Sequence, residues 1–231
     1  MPLLGDNAPM PLPQRVRRLA PDRLRYSIHL RALALAGGLV PPRTMHSSDE
    51  AALLADLARD KRSAVEIGVY EGSSAVVLCR ALPRDAELHL IDPFTGNALL
   101  PGWRGMPFAT RRVVGRAARA RGGPRVHWHI ALSEEVAAQW SGPIDLVFID
   151  GDHSERGCRL DWELWSRLIA PGGVVVFHDA REGAPAGGGL PGPTAVVDAV
   201  FRNPGPPAGW RLRAEVDTAV AVERDPASRS P

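Results

Sequence analysis

The sequence predicts an α/β fold built on a seven-stranded, mostly parallel sheet that closes with an antiparallel hairpin. Three observations predict it. Short apolar runs alternate with longer amphipathic stretches between residues 64 and 177. Those runs are nearly continuous in Val, Ile, Leu and Phe, as strands are when both faces of a parallel sheet are covered. The chain then ends on two β-like runs, Trp210–Val216 and Thr218–Glu223, with only Asp217 between them.

A length of 231 residues fits one domain. Hydrophobic residues at 45% and charged residues at 23% exclude a wholly disordered chain. A formal net charge of +2 argues against wrapping nucleic acid by bulk charge, so no nucleic-acid partner is expected. Cys79 and Cys158 form neither a metal-ligand nor a disulfide pattern, and a cytoplasmic, reducing location is the expectation. The apolar stretch from Ala32 to Val40 is closed by Arg31 and Pro41 and falls short of the ~20 residues of a membrane span.

The elements follow in order. Residues 1–48 read as a proline-rich, arginine-bearing arm and a helical cap, able to cover this chain's own site or that of a second copy in a homo-oligomer. The main domain is expected over residues 49–223, with 224–231 as a disordered tail. Asp49–Asp60 reads as a helix with Leu53, Leu54 and Leu57 on one face. Strands are expected at Ala64–Val69, Glu87–Ile91, Val126–Ile130, Ile144–Ile149 and Val174–Phe177. The helices between them are Ser73–Leu82, Phe108–Arg121, Ser133–Trp140 (with Ser133 as its N-cap) and Glu155–Ile169. Residues 183–193 are mostly Gly and Pro and suggest either a substrate lid or a disordered insertion; a helix Thr194–Phe201 follows.

The turn after the first strand reads Glu66-Ile-Gly68-Val-Tyr70-Glu-Gly72-Ser73-Ser74. Glycines there let backbone approach a ligand, and the following helix N-terminus offers free N–H groups to an anion. The spacing Gly-x-x-x-Gly differs from the Gly-x-Gly-x-x-Gly of nicotinamide-binding enzymes. Asp92 ends the second strand, where a carboxylate can accept both hydroxyls of a ribose; nicotinamide enzymes share that role. Asp150, Asp152 and His153 lie just past the fourth strand, and His178 and Asp179 just past the fifth. Carboxyl ends of parallel strands face the ligand crevice, so these five ionisable groups are expected to converge.

The strings VEIGVYEGSS, LIDPF, DLVFIDGDHS and LIAPGGVVVFHD resemble the class I S-adenosylmethionine-dependent methyltransferase family, over roughly Asp49 to Glu223. The nearest likeness is to its bacterial small-molecule O-methyltransferases, with a Rossmann-like fold. The resemblance implies that Glu66, Gly68, Tyr70, Gly72 and Ser73 line the methionine part of S-adenosylmethionine. It implies ribose on Asp92, adenine beside Ser133, and further cofactor contacts from Ser74 and Asp150. Some members use Mg2+, held by the acid ending strand four and an adjacent pair after strand five. Asp150, His178 and Asp179 fall on those positions, with His178 in place of the usual acid. His153, three residues past Asp150, matches a general base of the macrolide-sugar branch, and Asp179 or Asp152 could orient it.

The expected activity is O-methylation of a small molecule such as a sugar or a polyhydroxylated natural product. N- or C-methylation at the same site, a nicotinamide oxidoreductase and an RNA-modifying enzyme are the alternatives. Arg104, Arg111, Arg112, Arg116, Arg119, Arg121 and Arg125 read as a solvated helix face, with Arg104 or Arg111 the ones able to meet an anionic substrate.

Overall fold

The computed structural model describes residues 28–95, 105–185 and 187–227. The arm over residues 1–27, Arg104 and residues 228–231 lie outside the described residues. A seven-stranded sheet runs through the molecule in the order β3-β2-β1-β4-β5-β7-β6. Its strands are β1 (Ser63–Ile67), β2 (Glu87–Ile91), β3 (Arg125–His129), β4 (Ile144–Ile149), β5 (Ile169–Phe177), β6 (Trp210–Val216) and β7 (Ala219–Arg224). The first five are parallel, and β7 runs antiparallel to both β5 and β6.

Alternation along each strand sorts the core into two layers. Ala64, Leu88, Leu90, Leu146, Phe148, Val174 and Val176 face one side, where they meet Leu54, Leu57, Leu78 and Val114. Val65, Ile67, Ile91, Val147, Ile149, Val175 and Phe177 face the other, against Trp162, Trp165, Val196 and Phe201. The first layer is covered by α2 (Ser48–Ala58), α3 (Ser73–Ala81) and α4 (Gly105–Arg121). The second is covered by α5 (Ser133–Ala137), α6 (Glu155–Trp165) and α7 (Pro191–Val197). Burial on both faces is why β1, β4 and β5 carry nearly continuous apolar runs.

The cap of the sequence reading is α1 (Ile28–Gly37), whose Ala32, Leu35 and Ala36 pack on Met106, Ala109 and Val113 of α4. Its last carbonyls are claimed by arginines of α4. Arg112 Nε donates to Ala36 O at 3.2 Å, and Arg116 donates to Ala36 O at 2.8 Å and Leu35 O at 3.0 Å. These two arginines therefore close a helix C-terminus and do not form a merely solvated face. Arg111 lies over the Trp128 ring at 5.4 Å, and Arg125 pairs with Glu87.

Several boundaries differ from expectation. β5 starts at Ile169, five residues early, because Pro171-Gly172-Gly173 is taken up by a register shift against Ile144 and Leu146. α6 stops at Trp165 and tightens into a 3-10 turn over Ser166–Leu168. α5 stops at Ala137, and α7 starts at Pro191 rather than Thr194, with proline in its first turn. Arg224, expected in a disordered tail, is the last residue of β7, and its Nη1 donates to Ile169 O at 2.6 Å.

Candidate functional site

Strand order reverses beside β1, so the chain leaves β1 and β4 in opposite directions and a crevice opens at their carboxyl ends. A cavity of about 950 Å³ occupies it, walled by Gly68, Tyr70, Asp92, Ser133, Asp150 and His153 among others. Gly68 sits at φ +86°, and a Cβ there would run into the Asp150 carbonyl. Only glycine lets the ends of β1 and β4 lie this close.

The loop beyond Gly68 is held from two sides. Asp92 Oδ2 accepts from Val69 N at 2.9 Å and Tyr70 N at 2.8 Å, and Oδ1 accepts from Phe94 N at 2.7 Å. Asp92 thus shapes the loop as well as facing the cavity. On the other side Glu71, 1% exposed, takes Arg31 Nε at 2.7 Å and Nη2 at 2.5 Å, and also Arg43 N at 2.7 Å. Tyr70, at φ 49°, accepts at its hydroxyl from Arg43 Nη1 at 2.9 Å.

Glu66 and Ser74 are buried behind this loop and do not line the cavity; Ser74 Oγ donates to Glu66 Oε1 at 2.5 Å. Burial pushes the Glu66 carboxyl well above its ordinary range, and its Oε2 has no partner. Gly72, at φ +86°, and Ser73 form the start of α3 outside the cavity wall. Ser133 lines the cavity but does not cap α5. It is the first helical residue, and its Oγ accepts from Trp165 Nε1 at 2.7 Å. The capping contact comes from Glu135 Oε2, which accepts from Leu132 N at 2.9 Å.

Past β4 and β5 the expected ionisable groups do converge, with one exception. His153 Nε2 lies 3.2 Å from Asp150 Oδ1 and 3.5 Å from Asp179 Oδ2. His178 Nδ1 lies 3.1 Å from the same Asp150 oxygen and 3.5 Å from Asp179 Oδ2. Asp152 stands apart: its Oδ1 accepts from Ser154 N at 2.8 Å, so Asp150 and Asp179 orient His153 and Asp152 does not. Of residues 183–193, Leu190 and Gly192 lie against this group. Leu190 N donates to Asp179 O at 2.8 Å, and a side chain at Gly192 would strike the His153 carbonyl.

Sequence reasoning missed Glu50 and Asp161. Ser47-x-x-Glu50 is a legible capping box, with Ser47 N on Glu50 Oε2 at 2.7 Å. Nothing local reveals that Oε1 also accepts from Thr218 N at 2.8 Å and Oγ1 at 2.6 Å, or that Oε2 faces His178 Nε2 at 3.6 Å. Burial favours a neutral Glu50, yet the His178 contact and the Thr218 and Ser47 donors bring its carboxyl down to about 2. Asp161 lines the cavity together with Ser133, and burial raises its carboxyl to about 6.

The charge states of the cluster follow from these contacts. Burial alone would lower His178, but its contacts with Asp150, Asp179 and Glu50 raise it to about 12. Asp150 is pushed up by burial and more strongly held down by His153 and His178. His153 is raised by its hydrogen bond to Asp150. Of the expected set, Asp150 and Asp179 offer the oxygen ligands that Mg2+ takes, whereas His178, whose Nδ1 lies against Asp150, offers none. His178 turns one nitrogen to Asp150 and the other to Glu50 while 3% exposed, which places a fixed cation among the carboxylates.

Comparison with known proteins bears on the family and the fold. A family model described as a methyltransferase domain matches residues 65–180. A protein of Mycobacterium sp. (strain JLS) that bears an O-methyltransferase name is 29% identical over 178 residues, covering 73% of this chain and 70% of that protein. Tricin synthase 1 of Oryza sativa subsp. japonica is 31% identical over 136 residues, which is 58% of this chain and 52% of its own length. Among solved structures, an O-methyltransferase from Bacillus cereus in complex with SAH superimposes with a TM-score of 0.61 at 18% identity, over 91% of this chain and 97% of that one.

Proposed function

The chain belongs to the methyltransferase-domain family matched by residues 65–180, the class I S-adenosylmethionine-dependent methyltransferases, and on that premise we propose that it methylates a hydroxyl oxygen of a small molecule with His153 as the base. One observation carries the base assignment. His153 Nε2 is anchored on Asp150 at 3.2 Å while the side chain remains 39% exposed at the wall of the cavity. A general base must be held in place yet reach an acceptor, and His153 meets both conditions.

S-adenosylmethionine supplies a methyl group on a positively charged sulfur, which an acceptor oxygen displaces in line. The protein's work is to align the two and remove the acceptor's proton. With the Nε2 proton directed at Asp150 and Asp179, His153 keeps a lone pair on Nδ1, the atom that takes the proton from the acceptor hydroxyl. Asp150 can do this only while ionised, and the neighbouring His178 cation keeps it so in a buried place. Gly68, Tyr70, Asp92 and Ser133 line the same cavity and are the residues we assign to the cofactor. Glu66 and Ser74 support the loop from behind.

A small acceptor, such as a sugar or polyhydroxylated compound, suits a cavity of about 950 Å³ that the cofactor must share. Three of the α4 arginines that would suit a nucleic acid, Arg111, Arg112 and Arg116, are instead engaged with Trp128, Ala36 and Leu35. No helix among the described residues is long and apolar enough to cross a membrane. The test pairs calorimetry with turnover. S-adenosylhomocysteine should bind wild type and His153→Ala alike, whereas methyl transfer to a panel of polyols and phenols should need His153. Absence of binding would overturn the cofactor assignment, and undiminished transfer by the variant would overturn the base.

A further inference from the structure

Five of the seven histidines stand in two groups. One is the cluster of His153 and His178. The other lies on β2 and β3 and takes no part in the cavity. β2 and β3 are parallel neighbours with His89 opposite His127 and Glu87 opposite Arg125. Glu87, His89, His127 and His129 occupy alternate positions, so they share one face of the sheet.

That face is closed near β1 and β4 by α5 and α6, but α5 is only five residues long and leaves the outer strands open. The His89 ring stacks on His127 at 4.5 Å and on His129 at 5.3 Å, with Trp140 edge-on at 4.6 Å. Glu87 meets Arg125 through Oε1 and His127 Nε2 through Oε2. One donor atom from each of Glu87, His89 and His127 lies within 4.8 Å of the others.

We propose that Glu87, His89 and His127 bind a divalent transition ion of the Zn2+ class at the open edge of the sheet. Two imidazoles and one carboxylate suit zinc and disfavour Mg2+ and Ca2+, which want oxygen throughout. His89 Nδ1 and His129 Nε2 are 3.0 Å apart, so at least one of the two nitrogens is unprotonated. With the proton on His89 Nδ1, its Nε2 lone pair is free for the ion and His129 is the acceptor that fixes the ring. Ligating histidines are commonly oriented by such an outer partner. The ion takes the place of the proton shared by Glu87 and His127, and Arg125 keeps the other carboxylate oxygen. His127 must turn out of its stack on His89 to aim its lone pair, and its 45% side-chain exposure leaves room. So placed, the ion clips edge strand β3 to β2.

The test uses the full chain, stripped with a chelator and titrated with Zn2+ by calorimetry and thermal melting, with Co2+ absorption as a report on the ligand set. Wild type and His153→Asn should each bind one zinc at this edge and melt higher in its presence. His127→Asn and Glu87→Gln alter partly exposed side chains and should remove that zinc and its melting shift. His129→Gln should weaken it by roughly tenfold to a hundredfold. The proposal is overturned if wild type binds no zinc, if binding survives in His127→Asn, or if His153→Asn alone abolishes it. In each of those outcomes the stacked rings serve packing only.

Discussion

His178 Nδ1 stands 3.1 Å from Asp150 Oδ1, and the opposite nitrogen of the same ring faces Glu50 Oε2 at 3.6 Å. The ring therefore carries the positive charge that its three carboxylate neighbours require. Two consequences can be measured. Turnover should be unchanged after dialysis against EDTA. His178→Ala should lower stability by about 3–5 kcal/mol in urea unfolding, because it strands buried charge. Activity lost to EDTA and restored by Mg2+ would refute the fixed-cation reading.

Two of the buried glutamates, Glu50 and Glu66, should move stability with pH in opposite directions. Glu50 falls to about 2 in the folded chain. A lowered carboxylate contributes stability above its unfolded value near 4.5 and loses it as pH falls towards 2. Its contribution should be roughly 3 kcal/mol, and Glu50→Gln should flatten that acid limb. Glu66 is shifted well upward by burial, so it keeps its proton when the unfolded chain loses its own. Stability should therefore decline as pH rises above about 4.5. Glu66→Gln should remove that decline while still accepting from Ser74, a comparison read from unfolding curves between acid and neutral pH.

His153 sets the pH profile of turnover. Its hydrogen bond to Asp150 raises it, so the neutral form that accepts a proton becomes abundant only above the ordinary histidine value near 6.5. The rise in kcat with pH should be displaced to the alkaline side. His153→Ala should lose that limb and about 10²–10⁴ of kcat, with S-adenosylhomocysteine affinity intact. A variant that retains the same pH profile would assign the limb to another group.

The centre of the sheet was legible because both faces of β1, β4 and β5 are buried and these strands advertise this in nearly unbroken apolar runs. Asp92, Asp150, His153 and Asp179 were legible because strand ends face the crevice. Glu50 was not, since its partner Thr218 lies 168 residues away and only the closing of β6 and β7 brings them together. Ser133 misled because Ser before two acids matches an N-cap, whereas Trp165 claims its hydroxyl. Arg112 and Arg116 of α4 read as solvated because their acceptors are backbone carbonyls of α1, which no side-chain pattern announces.

The contact between α1 and the cofactor loop gives the last prediction. Arg31 grips Glu71 through two nitrogens, and from the opposite side Asp92 holds Val69 N and Tyr70 N. Between these anchors Tyr70 keeps a left-handed φ of 49°, a conformation that must be imposed on a residue other than glycine. Arg31→Ala leaves a buried carboxylate with only the Arg43 contacts, so the loop should relax and S-adenosylhomocysteine should bind about tenfold more weakly. Replacing both partners, Arg31→Met with Glu71→Leu, removes the uncompensated charge and should recover stability. It should not recover affinity, because neither apolar side chain holds the backbone N–H of Arg43. Equal recovery of both in a double-mutant cycle would mean that the pair stabilises α1 without positioning the loop.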